Sequence, residues 1–290
     1  MPAVEERDRQ SLKGPPGTKI VFWVAWGEVA LAEVARSFGY ARSHIDALFV
    51  VVTDSKNFSL EGLKTLYFCF EEQGFFRKAE VFAAGLFPPD SIVLFLDTDT
   101  CVLDDVEMGF AAASRHGLAL APAPTYLLDE YRATADVLTA ESVDPAGQLL
   151  FNSGVIFFKN GSANAALFSH WLEICHRHSK ILKGDQEALT IAMEKMHLNP
   201  YVLSKSYNLR GIFEPVIGRT RIWHDRLPPP KNLNVYKQPY PPRLLAKATI
   251  RGLRRSETHG DSLRFFIMQR VVNPCYRLFR RTRLGKKILS

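Results

Sequence analysis

The strongest pattern along the chain is a set of short, unbroken apolar runs separated by stretches of helical spacing. Ile20 to Val24 (IVFWV) is rich in β-branched and aromatic residues and predicts a buried strand. Helix-forming residues follow from Glu28 to Phe38. Ala47 to Asp54 (ALFVVVTD) repeats the strand pattern and closes on polar residues. Ala79 to Phe87 has a helical composition, with Pro88 and Pro89 as its stop. Ile92 to Leu96 is a third strand and runs straight into Asp97-Thr98-Asp99, while Leu118 to Ala121 and Val155 to Phe158 predict a fourth and a fifth. Two later helices carry apolar residues at helical spacing, Leu167, Trp171, Ile174 and Cys175 in one and Leu189, Ala192, Met193 and Met196 in the other. Strands that are apolar at every position must be covered on both faces. Their alternation with helices therefore predicts an α/β fold, one domain built on a mostly parallel central sheet with helices on both sides.

No internal repeat is visible, and prolines 228–230, 239, 241 and 242 mark the end of the folded body. The expected organisation is a disordered segment over 1–18, a folded domain over 19–235 and a basic extension over 236–290.

Composition narrows the class without naming a function. A chain of 290 residues with 47% hydrophobic and 23% charged side chains is globular, not fibrous or mostly disordered. Cys69, Cys101, Cys175 and Cys275 are far apart and form no CxxC pair, which argues against a zinc knuckle or a dense disulfide framework and fits a reducing compartment. Met1 to Thr18 holds no apolar stretch of signal-peptide length, and no later segment reaches the roughly 18 uninterrupted apolar residues of a membrane span. The expected location is the cytoplasm.

Charge changes that picture at one end. Of the net +7, residues 243–290 contribute thirteen bases against Glu257 and Asp261, or +11, leaving −4 on the rest. A basic tail on a slightly acidic body suits an anionic partner. The aromatic and aliphatic residues within it (Phe265, Phe266, Ile267, Tyr276, Leu278, Phe279) favour a phospholipid surface, at the inner face of a membrane, over nucleic acid. They lie on no single helical stripe, so a solvated extension is the plain alternative.

The sharpest chemical feature is Asp97-Thr98-Asp99 at the end of an apolar strand. Residues two apart on a strand share a face, so the two carboxylates repel, and leaving them unpaired there is costly. A hard divalent cation, Mg²⁺ or Mn²⁺, offsets that cost and bridges to a diphosphate that the acids would otherwise reject. In open α/β sheets ligands gather beyond the carboxyl ends of strands, where this pair lies. The plain reading is a pair of turn-forming or capping acids, as Asp104 and Asp105 appear by sequence.

Ile92 to Asp105 resembles the DxD strand of GT-A-fold glycosyltransferases, above all the family 8 group that includes glycogenin and bacterial lipopolysaccharide hexosyltransferases. Phe151-Asn-Ser-Gly-Val-Ile-Phe-Phe158 is similar to that group's Asn-x-Gly strand, and Gly184-Asp-Gln-Glu-Ala-Leu189 to its Asp-Gln motif opening a helix. The three agree in order and spacing over roughly residues 19 to 226. The resemblance implies a GT-A (Rossmann-like) catalytic domain that transfers a hexosyl unit from a nucleotide diphosphate sugar, such as a UDP-sugar, to a hydroxyl on a glycan or glycolipid, with retention of configuration. It implies Asp97 and Asp99 as metal ligands, with Asp97 also at the ribose. Asp185, Gln186 and Asn152 then fall at the sugar, and His224 is the third metal ligand, although Asp225-Arg226-Leu227-Pro228 replaces the family's usual Gly and Lys-Pro-Trp that follow. Lys78 would face the diphosphate and Asp54 the nucleoside.

Each position also has a bland reading. Asn152 could make a turn before a strand, Gly154 a bulge, Asp185 a helix N-cap, His224 a surface histidine beside Trp223, and Thr53-Asp54 a strand-ending turn. Gly14 to Lys19 lacks P-loop spacing and precedes a strand, and Val102 occupies the position where an EF-hand loop needs glycine. Two rivals stay open: a metal-dependent phosphatase or nucleotidyltransferase on a similar sheet, and a non-catalytic protein that binds nucleotide sugars.

Overall fold

The computed structural model describes Leu12 and residues 14–128, 134–144, 149–182, 184–210 and 219–229. The elements run β1 (Lys19–Ala25), α1 (Gly27–Ala41), β2 (Leu48–Thr53), β3 (Lys64–Tyr67), α2 (Phe76–Ala83), β4 (Ile92–Leu96), β5 (Thr100–Val102), α3 (Glu107–His116), β6 (Leu118–Leu127), α4 (Thr134–Glu141), β7 (Leu149–Lys159), α5 (Ser162–Arg177), α6 (Gln186–Lys195), β8 (Tyr201–Val202) and β9 (Ile222–His224).

The unbroken apolar runs follow from two cores, one on each face of the sheet. In β1, Ile20, Phe22 and Val24 enter one core and Val21, Trp23 and Ala25 the other. In β4, Val93 and Phe95 join the first, while Ile92, Leu94 and Leu96 join the second. Helices α2, α5 and α6 close the first core through Phe82, Trp171 and Leu189, and α1 and α3 close the second through Phe38 and Phe110. Phe82 is the hub of its side. Its ring centroid lies 5.3 Å from Phe22, 5.2 Å from Phe95, 4.7 Å from Phe168 and 5.2 Å from Trp171. Burying a side chain of that kind contributes about 1.5–3 kcal/mol, and each aromatic pair adds about 0.5–1.5 kcal/mol.

Seven strands form the sheet in the order β3-β2-β1-β4-β7-β6-β8. Neighbours are parallel except around β7, which runs antiparallel to both β4 and β6. The result is an α/β, Rossmann-like sheet with helices on both faces. From β1 the chain works outward through β2 and β3, then returns to the other side of β1 as β4. That reversal makes the carboxyl ends of β1 and β4 the switch point of the sheet, where ligands bind in such folds.

Several expectations shift in detail. The helix expected over 79–87 occupies Phe76–Ala83, and a glycine stops it ahead of the prolines. The Ala84 N–H still bonds the Glu80 carbonyl, and Gly85 then turns left-handed at φ +59°. β6 extends well past Ala121 through Pro122. This is tolerated because β8 borders β6 only at Ala119 and Leu120, so the proline interrupts no ladder on that side. β7 begins six residues before Val155, so Asn152 and Gly154 lie inside the strand and form no turn before it. Apolar patterning did not mark β3, β5, β8, β9, α3 or α4.

Of the segment 1–18, Leu12 is buried in the first core. The tail 236–290, with its proposed membrane contact, lies outside the described residues. Among the described residues no helix is long and apolar enough to cross a membrane, and Cys69, Cys101 and Cys175 are free thiols.

Candidate metal and donor site

β4 ends at Leu96, so Asp97, Thr98 and Asp99 form the turn into β5 and do not continue the strand. The turn is fixed from several sides. The Asp97 N–H donates to the Gly154 carbonyl (2.8 Å), and the Asp97 carbonyl accepts from the Thr100 N–H (3.1 Å) and the Thr100 hydroxyl (2.7 Å). The Thr98 hydroxyl donates to Glu33 of α1 at 2.7 Å. Antiparallel pairing of β5 with β9 then sets Thr100 opposite His224, and the Asp225 N–H donates to the Asp99 carbonyl at 3.0 Å.

This ribbon carries a histidine from far along the chain to the acidic turn. His224 Nε2 lies 3.1 Å from Asp99 Oδ1 and 3.6 Å from Asp97 Oδ2, and one ligand atom from each of the three residues falls within 4.8 Å of the others. Two ligands in adjacent positions around an octahedral ion, each about 2.1 Å from it, are about 3.0 Å apart. The His224–Asp99 spacing already meets that requirement, and an N,O,O donor set suits Mn²⁺ or Mg²⁺. The same crowding explains Gly154. A Cβ there would sit 2.2 Å from the His224 ring and 2.5 Å from Asp97 Oδ2, so only glycine lets β7 pass beneath the triad.

Lys78 on α2 is buried and its Nζ faces four oxygens: Asp185 Oδ2 at 2.8 Å, the Ser153 hydroxyl at 3.0 Å, the Ser153 carbonyl at 3.1 Å and Asp97 Oδ1 at 3.3 Å. Burial alone works against the ammonium; the charges of Asp185 and then Asp97 more than restore it and hold Lys78 above its ordinary value. Burial also pushes the Asp99 carboxyl up, but His224, Arg210 and Arg226 together bring it well below the usual carboxylate range.

The predicted sugar-site residues converge here, though not in the expected way. Asp185 holds the N-cap position of α6 yet makes no side-chain cap; its carboxylate turns to Lys78 and to the Ser153 hydroxyl (3.3 Å). Asn152 Nδ2 donates to Gln186 Oε1 at 3.3 Å, and Asn152 Oδ1 accepts from the Gly154 N–H at 2.9 Å and Asn208 Nδ2 at 2.8 Å. Asp54 stands apart. It is exposed, 3.7 Å from Arg77 Nη1, and outside the cavity wall.

A cavity of about 360 Å³ opens over the triad at the switch point. Its lining includes the polar residues Asp97, Asp99, His224, Lys78, Arg210 and Arg226 and the apolar residues Trp26, Val29, Ala30 and Phe75. Val29 and Phe75 are 72% and 57% exposed. In and just behind the wall, four carboxylates (Asp97, Asp99, Asp185, Glu33) face three permanent cations (Lys78, Arg210, Arg226), a balance of −1 with His224 neutral. A divalent ion would reverse that to +1, the sign a diphosphate needs.

Sequence reasoning missed Asn208, Arg210, Arg226, Ser153 and Glu33. Ser153 is the unnamed middle of an Asn-x-Gly motif, and Glu33 sits on an unremarkable helical turn; Asn208, Arg210 and Arg226 flank β9, which no periodicity announced. Comparison of the chain with known proteins returns no matching family model and no matching curated relative.

Proposed function

We propose that this chain is a divalent-metal-dependent glycosyltransferase, similar to family 8 of the GT-A fold, that moves a hexosyl unit from a nucleotide diphosphate sugar to a hydroxyl acceptor. One observation carries the reading: Asp97, Asp99 and His224 meet at the switch point of the sheet, in the lining of a cavity that also includes Trp26, Val29, Ala30 and Phe75. A donor that joins a flat base to a diphosphate uses both kinds of lining. When bound, the metal ion supplies charge neutralisation at the departing diphosphate. Asp97, Asp99 and His224 hold it, and Arg210 and Arg226 add fixed positive charge in the same lining. Lys78 is fully engaged by protein oxygens, so its contribution is to hold Asp97 in place. Asp185 acts through Lys78, because its buried carboxylate is closed off from the cavity. Phe75, exposed in the cavity lining, would stack on the base, a contact worth about 1–3 kcal/mol for a stacked ring.

Calorimetry with UDP, with and without Mn²⁺, tests this reading, followed by a screen of nucleotide sugars for hydrolysis. UDP binding that requires Mn²⁺ is expected; binding indifferent to the metal, or none, overturns it. The acceptor in this reading is a glycan or glycolipid, and the +11 tail brings the enzyme to an anionic membrane carrying it. Deleting residues 243–290 should abolish co-sedimentation with phosphatidylserine vesicles, and unchanged sedimentation removes the membrane from the proposal.

A further inference from the structure

The Gly154 N–H fixes the direction of a buried amide chain that ends on the metal-site histidine. A backbone N–H only donates, so the Asn152 atom 2.9 Å from it is the amide oxygen. That same oxygen is 2.8 Å from an Asn208 amide atom, which must therefore be the nitrogen. The other Asn208 atom, 2.7 Å from His224 Nδ1, is then the oxygen, and Nδ1 carries the proton. Nδ1 keeps that proton in both the neutral and the charged ring, so Nε2 is the nitrogen whose lone pair the neutral ring presents to Asp97 and Asp99. A second group agrees: Arg210 Nη1, which can only donate, lies 3.4 Å from Nε2. Asn152, Asn208 and His224 are 5%, 3% and 2% exposed, so each depends on its protein partners for hydrogen bonds.

We propose that Asn208, oriented by Asn152, is a positioning residue that fixes the His224 ring with Nδ1 as the donor and Nε2 turned to Asp97 and Asp99, so that the ring is oriented for a divalent cation before one arrives; this rests on the metal-binding reading of the triad. With its oxygen shared between Gly154 and Asn208, and its nitrogen donating to Gln186, Asn152 links the His224 support to a residue expected at the sugar.

The test uses the full chain without metal. Long-range ¹⁵N NMR of the His224 ring, assigned with a His224→Gln variant, reports the tautomer, and Mn²⁺ titration followed by electron paramagnetic resonance reports affinity. Wild type should show Nδ1 protonated and no ring with its proton on Nε2 alone. Asn208→Ala should show a mixture and bind Mn²⁺ about 10- to 100-fold more weakly, the range for partners of metal-ligating histidines. Asn208→Asp keeps an oxygen facing Nδ1 but sets its second oxygen against Asn152 Oδ1, so it should retain the tautomer and bind Mn²⁺ more tightly than the alanine variant. A merely structural asparagine predicts the reverse order, because aspartate buries a charge that alanine does not. An unchanged tautomer in Asn208→Ala, equal Mn²⁺ affinity, or aspartate weaker than alanine each overturns the proposal. If the aspartate variant does not fold, the alanine variant decides alone. A wild type that binds no Mn²⁺ while the tautomer shifts as expected overturns the metal reading and leaves the control of the ring by Asn208 standing.

Discussion

Two clusters of buried charge invite comparison, the triad site and a clasp around Glu141 on the far side of the fold. In the clasp, one buried carboxylate at the end of α4 meets Arg177 and His178 at the end of α5 and Lys195 at the end of α6. Every partner comes from a helix C-terminus, where the positive charge of Arg177 and Lys195 is also favoured by the helix dipole. Burial pushes the Glu141 carboxyl up, but hydrogen bonds from Lys195, His178 and Arg177 hold it down at about 2. Around the triad, four carboxylates outnumber three permanent cations, and three of the acids (Asp97, Asp99 and Glu33) line a cavity. A carboxylate surrounded by bases ties elements together; an excess of carboxylates beside a cavity leaves room for a cation from outside. In the proposed reading, the same residue types thus serve cohesion in one place and a cation in the other.

Replacing Asp99 is the most direct way to break this contrast. Asp99→Ala removes one of three ligand atoms, so Mn²⁺-dependent UDP binding should fall by at least about 100-fold, more than the loss of an outer partner causes. Its melting temperature should move less than that of a variant in the clasp. Calorimetry and a thermal melt on the same preparation decide, and a variant that melts early but still binds UDP with Mn²⁺ would place Asp99 on the cohesive side.

What could be read from the sequence follows the range of each interaction. Two-sided burial of β1, β2 and β4 is a local property, so IVFWV and IVLFL declared their strands and, through them, the fold class. Asp97 and Asp99 were legible because two acids after an apolar strand are costly within a span of three residues. His224 was placed only by resemblance, since nothing local connects it to Asp99; the link is the short β5–β9 ribbon, whose strands are three residues each. Asn208 was invisible for a related reason. Its value lies in which way its amide points, and that is set by Gly154, more than fifty residues earlier. Asp185 shows the opposite failure: its N-cap position was legible, but the carboxylate bonds Lys78, and composition cannot say which of two available partners a buried acid chooses.

Glu141→Gln sharpens the comparison from the cohesive side. It leaves Arg177 and Lys195 without a counter-charge, but Arg177 is half exposed and can return to water, so the loss should be about 2–3 kcal/mol and not the full cost of a stranded buried ion. For a folded body of this size that lowers the melting temperature by about 5–10 °C, with Mn²⁺ and UDP binding unchanged. The pH dependence fixes the cause. Glu141 is held at about 2 in the folded chain against an ordinary 4.5, so its contribution is present above pH 4.5 and is lost as the pH falls toward 2. The gap between wild type and Glu141→Gln should therefore be constant from pH 7 to 5 and close progressively below 4.5, as read by urea unfolding at each pH. A gap undiminished at pH 3 would mean that shape, and not the matched charge, makes Glu141 cohesive, and the distinction between the two clusters would lose its electrostatic basis.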